Sequence, residues 1–375
     1  MIYRKAYPEE YPKYLAFANK VFTDAHGEHH FETLLPKVYA PGMDTAHMQY
    51  VAVDDAGEVR ALVACLPTVL HVGDCTLKTG YIGTVSVHAE NRGEGHMKKL
   101  MQLQLAEQKA AGCDLLQLGG MRQRYGYFGF VPGGEIYRFY FSAGNVRHAL
   151  KEVSAEGYSF VEILPGTPEE EAAEAIHQAQ PLWYDRSLAG FAVTGRGFHS
   201  VPRLVRYQGK CCGAMITSED KADIRELWVA DDQYRSILKA WLRESKAGEL
   251  QLRLPAWEQK KIHDLTTWVQ SMNYGWHEML HIMNFAKVTE AFLRLKSTYT
   301  ALEDGEQSYQ ADGQTWTVTV RQGRVSVREG GEYPLVLSHE QASMLLTMPF
   351  AYPERPATPE GWYPLPVFTS IADEF

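Results

Sequence analysis

The sequence predicts an α/β (α+β) chain of two similar mixed-sheet domains followed by a smaller α+β unit. Three observations predict it. Short β-branched runs alternate with helical stripes over roughly the first 150 residues, which suits helices packed on a mixed sheet. A strand, turn and helix at Tyr81 to Leu103 recur in outline at Asp223 to Leu242. From Phe285 the pattern changes to a helix, a hairpin and a second helix. The expected division is 1–148, 149–284 and 285–375, because 375 residues are too many for one ordinary core.

Composition narrows the function. The chain is 45% hydrophobic, enough to give each domain a core, and its formal net charge is −9. That charge disfavours nucleic acid or an anionic membrane as partner and is compatible with a cationic substrate. Five cysteines, Cys65, Cys75, Cys113, Cys211 and Cys212, show no C-x-x-C spacing, so buried thiols in a reducing compartment are expected. The opening residues hold no apolar leader segment, and no run approaches a membrane span, so a cytoplasmic protein is expected.

In order, Ile2 to Ala6 reads as a strand, and Tyr11, Tyr14, Leu15, Ala18 and Phe22 form a helical stripe. Phe22-Thr23-Asp24 is expected to begin a polar loop. His26, His29 and His30 follow, but no Cys or carboxylate accompanies them at metal-ligand spacing, and no metal is expected. Tyr50 to Val53 and Val59 to Val72 form a hairpin across Asp54 to Gly57. A turn at Gly73-Asp74 leads into the central strand, where Gly83 permits a close approach.

After that strand, Arg92-Gly93-Glu94-Gly95 opens a helix that Gly112 stops. The first N–H groups of a helix have no internal partner, and its dipole adds partial positive charge there, so a glycine-opened N-terminus binds anions. Arg92 adds a permanent cation. The turn fits neither the Rossmann fingerprint nor the P-loop. It resembles Arg-x-x-Gly-x-Gly/Ala, the pyrophosphate loop of the GCN5-related N-acetyltransferases (GNAT). Val87, Arg92 and Gly95 fit that superfamily's longer pattern, while Ala89 stands for its proline and Met97 for its last small residue. The backbone of Val85, Ser86 and Val87 is then expected to pair with a pantetheine arm. The N–H groups around Gly93, Gly95, His96 and Met97 are expected to hold the pyrophosphate of acetyl-CoA.

Asp114 to Leu118 is a short buried strand ending at Gly119-Gly120. The following MRQRYGYFGF segment resembles the superfamily's Tyr-x-x-x-Gly-Phe, matched by Tyr125, Gly129 and Phe130. A phenol near the thioester sulfur can protonate the leaving thiolate. In the second domain the turn Ala230 to Tyr234 has no glycine or arginine and carries two carboxylates, which would repel a pyrophosphate. A second acetyltransferase-like domain without cofactor is expected, with Asp231 as a helix cap. In the third, Trp316 to Val320 and Val325 to Val327 pair across Gln322-Gly323, and Ser338 with Gln341 forms a capping box.

Across its whole length the chain resembles the enhanced-intracellular-survival (Eis) acetyltransferases of bacteria. The resemblance rests on Phe22 to Asp24, Val85 to Gly95, Tyr125-Gly126 with Phe128-Gly129, Leu280 to Asn284, and Glu374-Phe375. It implies two acetyltransferase-type domains, a sterol-carrier-like third domain and a hexamer. It also implies acetyl-CoA as donor and primary amines of cationic small molecules, such as aminoglycosides, as acceptors. Tyr125 becomes the general acid, and the carboxylate of Phe375, docked in the active site, the general base. Such a carboxylate has an ordinary pKa of about 3.3–3.7 and is ionised at neutral pH. His88 and Asp114 are the other candidate bases. Asp24, Glu28 and Glu374 are candidate anions for a cationic acceptor. Phe31 and Thr84 lie where the family's pocket carries other aromatic side chains, so pocket shape departs from it. Two rival readings are acetylation of lysine or N-terminal amines on proteins, and lipid binding or scaffolding through the last domain.

Overall fold

The computed structural model describes residues 1–350, 352 and 355–375. The first sheet is built from β1 (Ile2–Lys5), β2 (Gln49–Val53), β3 (Val59–Val72), β4 (Cys75–Val87) and β5 (Leu115–Leu118), neighbours in that order. Period-two burial along these strands serves two cores. Leu62, Ala64, Leu66 and Tyr81 face α1 (Tyr11–His26) and two single-turn helices, α2 (Phe31–Leu34) and α3 (Pro36–Tyr39). Ala61, Val63, Cys65 and Ile82 face α4 (His96–Ala110) and α5 (Arg122–Tyr125).

The expected loop at Phe22 to Asp24 is instead helix. α1 runs on to His26 and stops at Gly27, which has φ 90°. Polar side chains do not end a helix when they face water; a glycine at positive φ, which other residues rarely adopt, does.

Strand membership departs from the expected division at 148/149. After β6 (Val131–Gly133) the chain leaves the first sheet, and β7 (Ile136–Ser142) enters the second. That sheet also holds β8 (Tyr158–Glu162), β10 (Ser200–Tyr207), β11 (Lys210–Ser218), β12 (Asp223–Val229), β13 (Glu249–Leu254) and β14 (Ser271–Gly275), in the order β14-β7-β13-β12-β11-β10-β8. A short β9 (Leu182–Tyr184) pairs with the far end of β3. β15 (Glu278–Ile282) then returns to the first sheet and fills the gap between β5 and β6. Each of the first two domains therefore completes its sheet with a strand from the other's expected range, which leaves fewer unpaired edges.

The second sheet packs on α6 (Ala143–Ala149), α7 (Pro168–Gln178), α8 (Phe191–Thr194), α9 (Tyr234–Ser245) and α10 (Gln259–Thr266). Asp231 does not cap α9. Gln233 occupies the cap position, and Asp231 pairs with Lys261 at 3.0 Å and Lys260 at 3.3 Å.

The third unit has α11 (Phe285–Ser297), then a small sheet of β16 (Gly305–Ala311), β17 (Gln314–Arg321), β18 (Arg324–Glu329) and β19 (Leu335–Val336), then α12 (His339–Thr347) with the expected Ser338/Gln341 capping box. It shares a core with Leu70, Leu77 and Leu115 of the first sheet. The tail then runs back between the two large sheets. No helix among the described residues is long and apolar enough to cross a membrane.

Candidate active site

β4 and β5 run parallel and pair over three positions, the last being Tyr81 with Gln117. Beyond it they part. On the β3 side, pairing of β4 continues to Val87, so the edge facing β5 is left open from Ile82 onward. A register shift opposite Val63 marks a bulge, and Thr84 takes φ 50° there. The open edge leads into the glycine turn. Gly95 is the left-handed N-cap of the fifteen-residue α4 (φ 84°), and no side chain satisfies the helix's first N–H groups. Arg92, Lys98 and Lys99 are exposed close by in sequence. An extended chain ending in a pyrophosphate fits this arrangement, with strand-like bonds to Val85, Ser86 and Val87 and anion contacts at the N–H groups of His96 and Met97. The His96 imidazole is not available to a ligand. Its nitrogens lie 2.7 Å from the Tyr3 hydroxyl and 2.8 Å from Glu94.

Tyr125 ends α5 and is buried against Leu118, Phe130 and Met101 on the α4 face. A side chain at Gly120 would overlap its ring, with a Cβ 2.4 Å from Cε2. Burial pushes its phenol pKa up, and the Arg124 charge only partly opposes this. The group is thus a neutral proton donor at physiological pH.

Phe375 arrives on the opposite face. Its ring packs 6.0 Å from Tyr39 within the α1 core. Its terminal carbonyl carbon and oxygen lie against Gly83, where a Cβ would sit 2.6 and 2.5 Å from them. The close approach expected at Gly83 is therefore made by the last residue of the sequence, at the place where β4 parts from β5.

Three acidic and imidazole groups gather behind it. Tyr81 donates to Glu278 at 2.7 Å, and His277 Nε2 lies 2.9 Å from Glu374 and 3.6 Å from Glu278. Such a trio has the composition and spacing of a cation site. However, Arg138 donates to His277 Nδ1 at 3.3 Å, which leaves the proton on Nε2, facing the carboxylates as a donor. Burial and the neighbouring Glu374 hold Glu278 well above the usual carboxylate range. Burial also pushes Glu374 upward, but His277, Arg253 and the Glu278 carboxyl together outweigh it and the net shift is downward. An acid and a carboxylate thus stand side by side.

The other expected substrate contacts are dispersed. Asp24 sits on the last turn of α1 and pairs with Lys20 at 2.9 Å. Glu28 is exposed and lies 3.2 Å from His30. Phe31 is buried among Phe22, His29 and Tyr39, and the Thr84 hydroxyl accepts from Tyr39 at 2.8 Å. Both therefore support the wall behind the Phe375 ring. Asp114 is committed elsewhere, accepting from the Lys78 amide at 2.8 Å and from Lys287 at 2.7 Å. Sequence reasoning missed Tyr39, Tyr81, His277 and Glu278. The one available signal was that Glu278 and His281 interrupt an otherwise apolar buried strand.

These features define a class of domain, the GNAT acetyltransferase domain. Residues 2–133 match the Acetyltransferase (GNAT) domain family model, and this part of the chain is a GNAT acetyltransferase domain. That match makes the 2–133 domain an acyltransferase domain. Among solved structures it is similar to a GCN5-related N-acetyltransferase from Kribbella flavida, with TM-score 0.64 and 15% identity over 92% of this chain and 89% of that one. A GCN5-related N-acetyltransferase from Anabaena variabilis ATCC 29413 gives 0.63 and 15%, with the same coverage. Eis1 from Mycobacterium abscessus gives 0.60 and 14%, over 91% of this chain and 88% of that one. At such identities the likeness is one of fold, and it extends through all three units. No curated protein sequence gives a significant match.

Proposed function

We propose that the protein transfers the acetyl group of acetyl-CoA to a primary amine of a cationic small molecule, aminoglycosides being the class implied by the Eis resemblance. The observation that carries the reading is the Phe375 carboxyl group lying on Gly83, at the mouth of an open strand edge that runs into an uncapped helix N-terminus. Acetyl-CoA supplies the activated thioester. The carboxylate of Phe375, from the α1 face, removes a proton from the acceptor ammonium directly or through one water. The amine nitrogen can then bond to the thioester carbon as the C–S bond breaks. Tyr125, from the α4 face, gives its proton to the departing sulfur, and the second proton of the acylated nitrogen returns to the Tyr125 oxygen, directly or through water, to leave the amide. Glu28 and the net negative charge favour approach of a cation.

The same reading takes 285–375 as a sterol-carrier-like domain, the assembly as a hexamer and the location as the cytoplasm. Thiol release from acetyl-CoA, measured across an aminoglycoside and polyamine panel and a set of lysine peptides, tests it. Turnover on the small amines is expected. Turnover confined to the peptides would move the acceptor to protein amines, and none on any amine would overturn the reading.

A further inference from the structure

We infer that the second domain is the clamp that holds the chain's last residues at the wedge where β4 parts from β5, with Arg186 as its positioning residue. This rests on the reading of Phe375 as the base. In the second sheet β12 and β13 are parallel and pair at two positions, Asp223 with Gln251 and Ile224 with Leu252, and then part. It is the same opening that β4 and β5 make in the first sheet. Here the chain's own tail occupies it. Phe368, Ser370 and Asp373 line one crevice with Trp228, Arg253 and Trp257 from the two diverging arms.

The tail is held there by charge. Arg186 reaches both oxygens of Asp373, Nε at 2.9 Å and Nη2 at 2.8 Å. Its Nη2 also donates to Glu226 on β12 at 2.8 Å, and Glu226 accepts from the Ser370 hydroxyl. The Arg186, Glu226 and Asp373 side chains are 1%, 5% and 6% exposed. From the first domain, Lys37 Nζ donates to the Ala372 carbonyl at 2.7 Å.

A buried ion pair adds little net stability, because desolvation offsets most of the attraction. What the guanidinium fork supplies is direction, since its planar donors match a carboxylate in one geometry. Residues 370, 372 and 373 are each fixed by a different group, so Phe375 hangs only two residues beyond a rigid anchor. The domain without a phosphate turn thus serves catalysis by placing the group that the other domain uses.

The test separates tail placement from chemistry. Asp373→Asn keeps the shape and removes the charge, and Lys37→Met removes the second tie without leaving an unpaired carboxylate. Arg186→Lys keeps the charge and loses the fork. In the full-length protein, carboxypeptidase A release of Phe375 reports docking, and calorimetric CoA binding reports the fold of the first domain. Asp373→Asn and Lys37→Met are expected to release Phe375 faster and to lose roughly 10²-fold in kcat, with the KM for acetyl-CoA unchanged. Arg186→Lys should fall between them and the parent. Release as slow as in the parent for both Asp373→Asn and Lys37→Met would overturn the clamp. Faster release with undiminished kcat would uphold the clamp and remove Phe375 as the base.

Discussion

In the proposed reaction Tyr125 gives a proton and Phe375 takes one, and their surroundings differ accordingly. Tyr125 is enclosed by apolar side chains, which keep its phenol protonated. Phe375 buries its ring and leaves its carboxyl group on a glycine. Tyr125→Phe keeps the packing and removes the donor. Turnover should fall roughly 10²–10⁴-fold, with CoA affinity retained by calorimetry. Unchanged turnover would reduce Tyr125 to a packing residue. Gly83→Ala is the complementary change. Its Cβ would collide with the Phe375 carboxyl group, so it should displace the terminus and lower turnover while CoA binding is retained. Full activity in Gly83→Ala would contradict the docking geometry.

At the scale of elements, β4 carries the design. Its pairing with β5 stops at Tyr81, its bulge is at Thr84 and its exit feeds the glycine turn. The second domain keeps the parting strands but has Ala230 to Tyr234 in place of the turn. Calorimetry should therefore find one CoA per chain, and two equivalent sites would contradict the assignment of the loop. What the sequence disclosed follows the same division. The loop from Arg92 to Met97 and the capping box at Ser338 were legible because their chemistry is local. The partners Tyr81–Glu278 and Arg186–Asp373 were not, since they are 197 and 187 residues apart and neither side chain sits in a motif. The start of α1 was legible from its stripe. Its end was misplaced because polarity was read as a stop, when Gly27 is the stop. The exchange of strands across residue 148 was hidden for a related reason, since local pattern shows that β7 and β15 are strands but not which sheet they join.

At the scale of the whole molecule, the three units meet around the tail, and their junctions hold neutral histidines. Burial lowers His177 to about 3 and His281 to about 4, against an ordinary value near 6.5. Below pH 6.5 the unfolded chain takes up protons at both positions and the folded chain does not, so folding stability should fall as pH drops from about 6.5 toward 4. Each histidine contributes at most about 1.4 kcal/mol per pH unit in that window. Thermal melts between pH 7 and 5 check this. His177→Gln should flatten the dependence, and an unchanged slope would show that the histidine is not buried neutral.

The central claim is that the last residue performs chemistry in the first domain's wedge. Its most direct test is the steady-state rate of thiol release by a variant extended by a few residues beyond Phe375. That change keeps the ring and moves the free carboxylate away. The account predicts loss of most activity, with folding and CoA binding intact. Full activity in the extended protein would contradict it.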